Sequence, residues 1–454
     1  MTPNKSLGMS VQIQDMLRRD LLQFIEPIFP SEVVRRYEAK EGVRRRDRIF
    51  NSESTLLTMI VTALHDDKSQ VASVQLFQSI FEQNRKKLVQ EMERNKTSEL
   101  RKVRIPKSKT KEISLNTAAY SKARDRIEQG LIDEVFKATL KDTARFYGPQ
   151  WHGRTVFNTD GTYLQLQDTP EIPEKYRVQQ KGGGLSHGYP QALLQVITQQ
   201  GSGFVHSYSL GSRADSELRL IEPLLDGLPE DSLLLADDLY NCYWLMALLV
   251  KKGVDFIVPD KKDRTYKQTK KIAAGDMLVE IPVPHNFRNK GLPEKILLRR
   301  IEYASTENPE ITYVLLTSIL DERIGKDEVV RKYAGRWDIE ITIREVKVLM
   351  GFSVLRGKSE DMVFKEIGVA ITAYNLVRRI IVESVVKTDF SPETDIVQKF
   401  FETYKTQLVD RKGRVYSRWA PGRPPAHNRP GATSQNTRKK RTALSSKNES
   451  SEVQ

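Results

Sequence analysis

The sequence predicts a mixed α/β protein with a helical N-terminal domain, a mixed-sheet core interrupted by a β-rich insertion, and a helical C-terminal region. Three observations carry this. Apolar residues recur three and four apart up to about Tyr147, as in SESTLLTMIVTALHDD and DEVFKATLKDTARF. From Thr155 the texture changes to short apolar runs separated by Gly, Pro and Ser. A helical period returns near Lys326 and runs to roughly Val386, with a break at Gly351 and another near Gly357.

Residues 1–150 are read as the helical domain. It carries two basic stretches, Arg44-Arg45-Arg46-Asp47-Arg48 and the Pro-broken run from Arg101 to Lys109, the second read as a loop. Ser114 is a candidate helix N-cap, and NTAAYSKARDRI after it would project Tyr120, Lys122, Arg124 and Arg126 toward a DNA groove. A solvated helix face whose charges touch nothing explains the same residues.

Residues 151–260 read as the first part of the core. TVFNTDGTYLQL, ALLQVIT and GFVHSYSL form three consecutive antiparallel strands, and a helix from about Asp215 to Leu225 follows. Then come the apolar run SLLLADD, a helix near Tyr240 to Lys252, and the strand VDFIVPD. The insertion, 261–325, contains IPVPHNF, KILLRRIEY and ITYVLLTSIL; helices over 326–390 complete the core. Residues 391–454 read as a helix and a basic tail rich in Pro, Gly, Ser and Arg, expected to be disordered and to trail along DNA phosphate.

Composition narrows the function classes. The 454 residues are 39% hydrophobic, ordinary for material that packs a core, and the formal charge is +14. Such a balance favours a polyanionic partner, nucleic acid before anionic membrane, because Lys and Arg on phosphates release condensed counterions. No run of about 18 apolar residues exists and the N-terminus lacks a secretory pattern, so a membrane role is not expected. Cys242 is the only cysteine, which excludes an intramolecular disulfide and fits a reducing compartment. The six histidines show no metal-ligand spacing.

Two aspartates end apolar strand runs: Asp160, and Asp237 after Leu233-Leu234-Leu235-Ala236. Each has a structural explanation, Asp160-Gly161 as a hairpin turn and Asp237-Asp238 as a helix cap. The sharper pattern lies in KYAGRWDIEITIREVKVLM, where Tyr333, Arg336, Glu340 and Lys347 advance by three, four and seven and form one helical stripe. Ala334, Trp337, Ile341 and Val348 flank it on one side, Ile339, Ile343, Val346 and Met350 on another. A helix apolar on two faces is mostly buried, so its polar stripe is expected to line a cleft.

These residues resemble the DDE transposases of the IS-four insertion-sequence group. The group's signature Tyr-x2-Arg-x3-Glu-x6-Lys is met by Tyr333, Arg336, Glu340 and Lys347 without a gap. TDGTYLQLQDTPE, LLLADDLYNCYW, RWDIE with LRGKSEDMVFKE, AYNLVRR, and NTAAYSKARDRI also look like family segments, over roughly Ser31 to Ile380. The resemblance implies an RNase H-like core with Asp160, Asp237 and Glu340 as catalytic metal ligands. It implies two Mg²⁺ or Mn²⁺ ions, Asp160 bridging them, and Tyr333, Arg336 and Lys347 on DNA phosphates. Two metals about 3.5–4 Å apart activate the nucleophile and stabilise the leaving oxygen, and hard oxygen ligands suit them.

The implied partners are double-stranded DNA, as transposon ends and target, and a second copy of the chain on paired ends, in the cytoplasm at the nucleoid. No nucleotide is expected, since Lys181-Gly182-Gly183-Gly184 lacks the P-loop spacing. Asp238 stands where family members often carry Arg, and Tyr313 precedes VLLTS where a relative has a base-stacking Trp. Tyr313 reads equally as a stacking face and as a tyrosine packed on the sheet. Asp168, Glu171 and Glu217 are expected to cap or pair at the surface. Two other functions remain open: an inactive DNA-binding descendant acting as repressor, and a metal-dependent nuclease without strand transfer.

Overall fold

The computed structural model describes residues 25, 28–43, 48–64, 67–78, 115–141, 143, 151–177, 188–260, 264–288, 291–304, 310–349 and 355–386. Arg44 to Asp47, the run from Arg101 to Lys109, Ser114, Lys181 to Gly184 and the tail 391–454 lie outside these. The core and the site lie within one compact unit.

Strands β1 (Thr155–Gln165), β2 (Gln191–Gln199) and β3 (Val205–Ser212) form the antiparallel meander that the three consecutive strand runs predict. β4 (Ser232–Leu235) lies parallel to β1, with Leu233 opposite Val156 and Leu235 opposite Asn158, and β5 (Asp255–Pro259) lies parallel to β4. Parallel neighbours need a crossover, which the apolar helix between Leu235 and Asp255 supplies. This meander followed by two parallel strands, in the order β3-β2-β1-β4-β5, is an RNase H-like core.

The strands of the insertion extend the same sheet. β6 (Lys267–Ala273), β7 (Asp276–Pro282), β8 (Lys295–Ala304) and β9 (Thr312–Thr317) continue it as β5-β9-β8-β7-β6, with Ile257 of β5 opposite Thr317. β6 is the edge strand, and its exposed Lys267, Lys270 and Lys271 disfavour pairing with another edge.

Alternation along β1 sorts its residues between two layers. On one face Leu164 packs in a core with Leu194 and Val196 and with helices α1 (Ser31–Lys40), α2 (Ser52–Leu64), α3 (Ala118–Arg126) and α4 (Gln129–Thr139). On the other, Phe157 joins Ile197 and Leu234 under α5 (Glu217–Ile221) and α6 (Tyr243–Lys251). The N-terminal helices share their core with the C-terminal α9 (Glu360–Val386) and with the sheet, so the change of texture near residue 150 is no break in packing.

Three expectations are corrected. The stripe does not lie on one unbroken helix: α7 (Lys326–Ala334) gives way to a 3₁₀ turn, Gly335–Trp337, before α8 (Asp338–Leu349). The β2–β3 turn closes on the chain at this point: Gln200 Nε2 donates to the Gly335 carbonyl at 2.9 Å and would stand 2.4 Å from any Cβ there. Trp337 is 43% exposed and its ring lies under the Arg336 guanidinium, so the flank expected to be buried is open at that residue. Tyr120 does not project toward a groove; it is 1% exposed with its ring 5.4 Å from that of Phe50. Its apolar ring is worth more inside the helical core than on the surface.

Candidate active site

β4 ends at Leu235, opposite Asn158, while β1 runs on to Gln165. A notch opens there at the C-terminal edge of the parallel strands, the usual place for a site in such sheets. Asp160 and Gly161 lie inside β1, opposite Val196 and Gln195, which removes the hairpin-turn explanation for them. Asp237 follows β4 and caps a short 3₁₀ turn, its Oδ1 accepting the Leu239 N–H at 2.9 Å. The cap and a place in the site are thus compatible. Its neighbour Asp238 is exposed.

The stripe closes the notch from the α7–α8 side. The Tyr333 hydroxyl donates to the Ala236 carbonyl at 3.3 Å, holding the end of α7 to the residue before Asp237. Arg336 is buried, lies 3.9 Å from the Glu340 carboxylate, and stabilises the charged forms of both Asp160 and Asp237. Lys347 is held below its usual pKa by burial and pulled back up by Asp160, which places the two within electrostatic reach. Asp160, Asp237, Tyr333, Arg336, Glu340 and Lys347 are therefore brought together.

Burial is the main influence on all three acids. It raises Asp160 to about 7, an effect increased by Glu217 and Asp237 and opposed by the Gly161 N–H and by Arg336. Asp237 is raised by burial, with Arg336 opposing and Asp238 adding. Glu340 is raised by burial, with Arg336 and Arg344 opposing and Asp237 adding. Even beside Arg336 these partly desolvated, mutually repelling carboxylates stay raised, and hard oxygen donors from three separate elements suit a divalent cation. Their spacing is open: among the described residues no three His, Cys, Asp or Glu side chains converge closely enough to hold a metal ion.

Glu217 is the acid that the sequence reading missed. Rather than pairing at the surface, it lies against the backbone of β1, where a Cβ on Gly161 would stand 2.4 Å from its Cδ. Tyr240 donates to Glu217 Oε2 at 2.7 Å, while Gln195 Nε2 donates to the Tyr240 hydroxyl and to Thr159 Oγ1, both at 2.8 Å. This buried chain fixes a fourth carboxylate beside Asp160. Besides the family-like segment in which Glu217 stands, a sequence signal was Gly161, a strand glycine that marks close approach of another group. Two further polar groups near the notch have no partner among the described residues: the amide of Asn158, 1% exposed, and Nε of Arg336.

The remaining candidates lie elsewhere. Tyr313 packs on the sheet with its ring 5.6 Å from that of Tyr303 and its hydroxyl buried. In α3, Lys122 is exposed, Arg124 donates to the Met362 sulfur, and Arg126 reaches the Phe50 carbonyl at 3.5 Å. Asp168 pairs with Arg177, and Glu171 is exposed. Among the described residues no helix is long and apolar enough to cross a membrane.

An RNase H-like sheet with acids from β1, the end of β4 and a later helix, backed by Arg and Lys, defines a DDE-type domain. Residues 151–376 match the family described as Transposase DDE domain. The chain is 29% identical over 270 residues to the transposase InsG for insertion sequence element IS4 of Escherichia coli strain K12, a match covering 58% of this chain and 60% of that protein. It is 27% identical over 141 residues to the putative transposase InsZ of the same strain, covering 31% of this chain and 47% of that one. The cryo-EM structure of the piggyBac transposase synaptic complex with hairpin DNA matches with a TM-score of 0.40 and 10% identity, over 86% of this chain and 80% of that one. The match thus spans about 60% of the length of InsG. Residues 151–376 thus belong to the DDE transposase family, and the chain is similar to transposases of the IS4 type.

Proposed function

We propose that the chain binds the terminal inverted repeats of an insertion sequence and catalyses metal-dependent cleavage and strand transfer of DNA. The supporting observation is the notch at which Asp160, Asp237 and the Tyr333–Lys347 stripe meet. Asp160, Asp237 and Glu340 would hold Mg²⁺ or Mn²⁺, and Glu217 adds a fourth negative charge beside Asp160. The bound ions would supply an activated oxygen nucleophile and charge stabilisation on the leaving oxygen.

The chain's own residues do the rest. Arg336, planar and permanently charged and set beside the Glu340 carboxylate, would pair through its guanidinium with a non-bridging phosphate oxygen. Lys347, partly desolvated, presents a second positive charge to the backbone. Tyr333 anchors the stripe to the end of β4 and so sets where the phosphate lies. The acids accept the proton of the attacking hydroxyl, first of water and then of the freed DNA 3′-end, within this half-buried notch. The basic chain carries DNA to this site, two copies on paired ends, at the nucleoid.

The test uses purified protein, Mg²⁺ and DNA bearing the element's own terminal repeats. Cleavage at those ends that disappears in Asp160→Ala and Glu340→Ala supports the reading. Repeat binding without cleavage favours a repressor, and cleavage of arbitrary DNA favours a nuclease.

A further inference from the structure

Behind the stripe, on the far side of α8, lies a buried ionic knot that the chemistry above does not use. Glu345 sits about 140° around the helix from Glu340, at 3.6 residues per turn. Its carboxylate pairs with the guanidinium of Arg378, on α9, and both side chains are almost wholly buried. Arg378 Nε donates to the Tyr374 hydroxyl at 2.7 Å. That hydroxyl lies 3.3 Å from Glu345 and 3.2 Å from the carbonyl of Gly203, in the β2–β3 turn. Gly203 has φ +72°, and a Cβ there would stand 2.9 Å from the guanidinium carbon. Three elements, α8, α9 and the turn, thus close on one charge pair.

We propose that Glu345, Tyr374 and Arg378 form a rotational pin that sets the azimuth of α8 and with it the direction in which Glu340 and Lys347 face Asp160. The inference rests on the proposed function in one respect, that Glu340 and Lys347 act there. Ile339 and Val346 bury α8 against its neighbours, but aliphatic contacts are non-directional and survive a small roll of the helix. A hydrogen-bonded ion pair does not survive it, because breaking the geometry leaves a buried charge without its partner. At the front of the helix Glu340 has a long 3.9 Å contact with Arg336, and Arg336 Nε and the amide of Asn158 have no partner among the described residues, so the front constrains the azimuth less tightly than the buried pair behind.

The size of the effect follows from helix geometry. A roll of about 15° moves a carboxylate about 6 Å from the axis by roughly 1.5 Å. A misplacement of about 1 Å costs on the order of 100-fold in rate. Glu345, Tyr374 and Arg378 are therefore positioning residues that act through Glu340 and Lys347.

Two conservative variants test this while keeping the core filled. Tyr374→Phe keeps the ring and removes the hydroxyl; Arg378→Lys keeps the charge and removes the fork that spans Glu345 and Tyr374. For each, circular dichroism reads folding, titration reads repeat binding, single-turnover kinetics read cleavage, and electron paramagnetic resonance reads Mn²⁺ affinity of the DNA-free protein. The expected result is native circular dichroism and repeat binding within about twofold, with cleavage slowed about 10- to 100-fold and Mn²⁺ bound more weakly. The charge-reversed pair Glu345→Arg with Arg378→Glu should recover part of the rate that Glu345→Arg alone loses. Variants that melt earlier but cleave and bind Mn²⁺ as wild type would overturn the pin and leave a purely structural ion pair. Glu340→Ala separates the two levels: if it cleaves normally, the proposed function fails, whereas its inactivity beside fully active Tyr374→Phe and Arg378→Lys sinks only the pin.

Discussion

Replacing Asp160 by Asn should stabilise the metal-free protein at neutral pH while abolishing cleavage. Burial and the neighbouring Glu217 and Asp237 raise the Asp160 carboxyl to about 7, against about 3.9 for a free aspartate. Those three pH units, at about 1.4 kcal/mol each, set an upper limit of about 4 kcal/mol on the cost of carrying the charge in the folded state. Because the folded pKa is the higher one, the folded state binds more protons between about pH 4 and 7. Stability is therefore full below the unfolded pKa and lost as pH rises through about 7. Asn is neutral at every pH and can still accept the Gly161 N–H through its amide oxygen, the bond that Asp160 Oδ1 makes at 2.8 Å.

Urea titrations in the presence of a chelator at pH 5 and pH 8 measure this. Wild type should lose stability between the two, Asp160→Asn should lose less, and the variant should be the more stable at pH 8. Added Mg²⁺ should stabilise wild type at pH 8 and leave Asp160→Asn nearly unchanged, since an ion stabilises by binding the folded state. A variant less stable than wild type at pH 8, or a wild-type midpoint that does not move with pH, would mean that the Asp160 charge carries no such cost in the folded state.

Gly161→Ala places a Cβ 2.4 Å from the Glu217 Cδ, so the carboxylate must leave β1. Overpacking there should cost about 1–3 kcal/mol and cleavage should fall at least about tenfold; a folded Gly161→Ala protein that cleaves at the wild-type rate removes Glu217 from the centre. Tyr313→Phe deletes a buried hydroxyl without a partner among the described residues, so melting should be unchanged or improved by about 1 kcal/mol, with cleavage intact. A large loss of cleavage in that variant would instead place the hydroxyl on DNA.

Local patterns were enough for the elements and for half of the site. The strand runs TVFNTDGTYLQL and ALLQVIT appear as β1 and β2, and the apolar SLLLADD as a buried parallel strand. The steps from Tyr333 to Lys347 placed one stripe toward the acids, and this survives the 3₁₀ turn because Gly335–Trp337 is short. The exposure of Trp337 and the burial of Tyr120 were not legible, because helical spacing says that residues share a face but not what covers it. The insertion strands read as an interruption because pairing partners far apart in sequence leave no local trace of a shared sheet.

Residue identity and local period carry the set of chemical groups and their local direction: two aspartates at strand runs, and Glu340 in the company of Tyr333, Arg336 and Lys347. Which of these groups meet depends on long-range packing. Ending β4 at Leu235 opens the notch, the missing side chain of Gly161 admits Glu217, and Arg378 reaches Glu345 from another helix. The physical reason is range. Periodicity and capping are read within a few residues, whereas the burial and charge that give Asp160 its chemistry come from side chains brought in by packing.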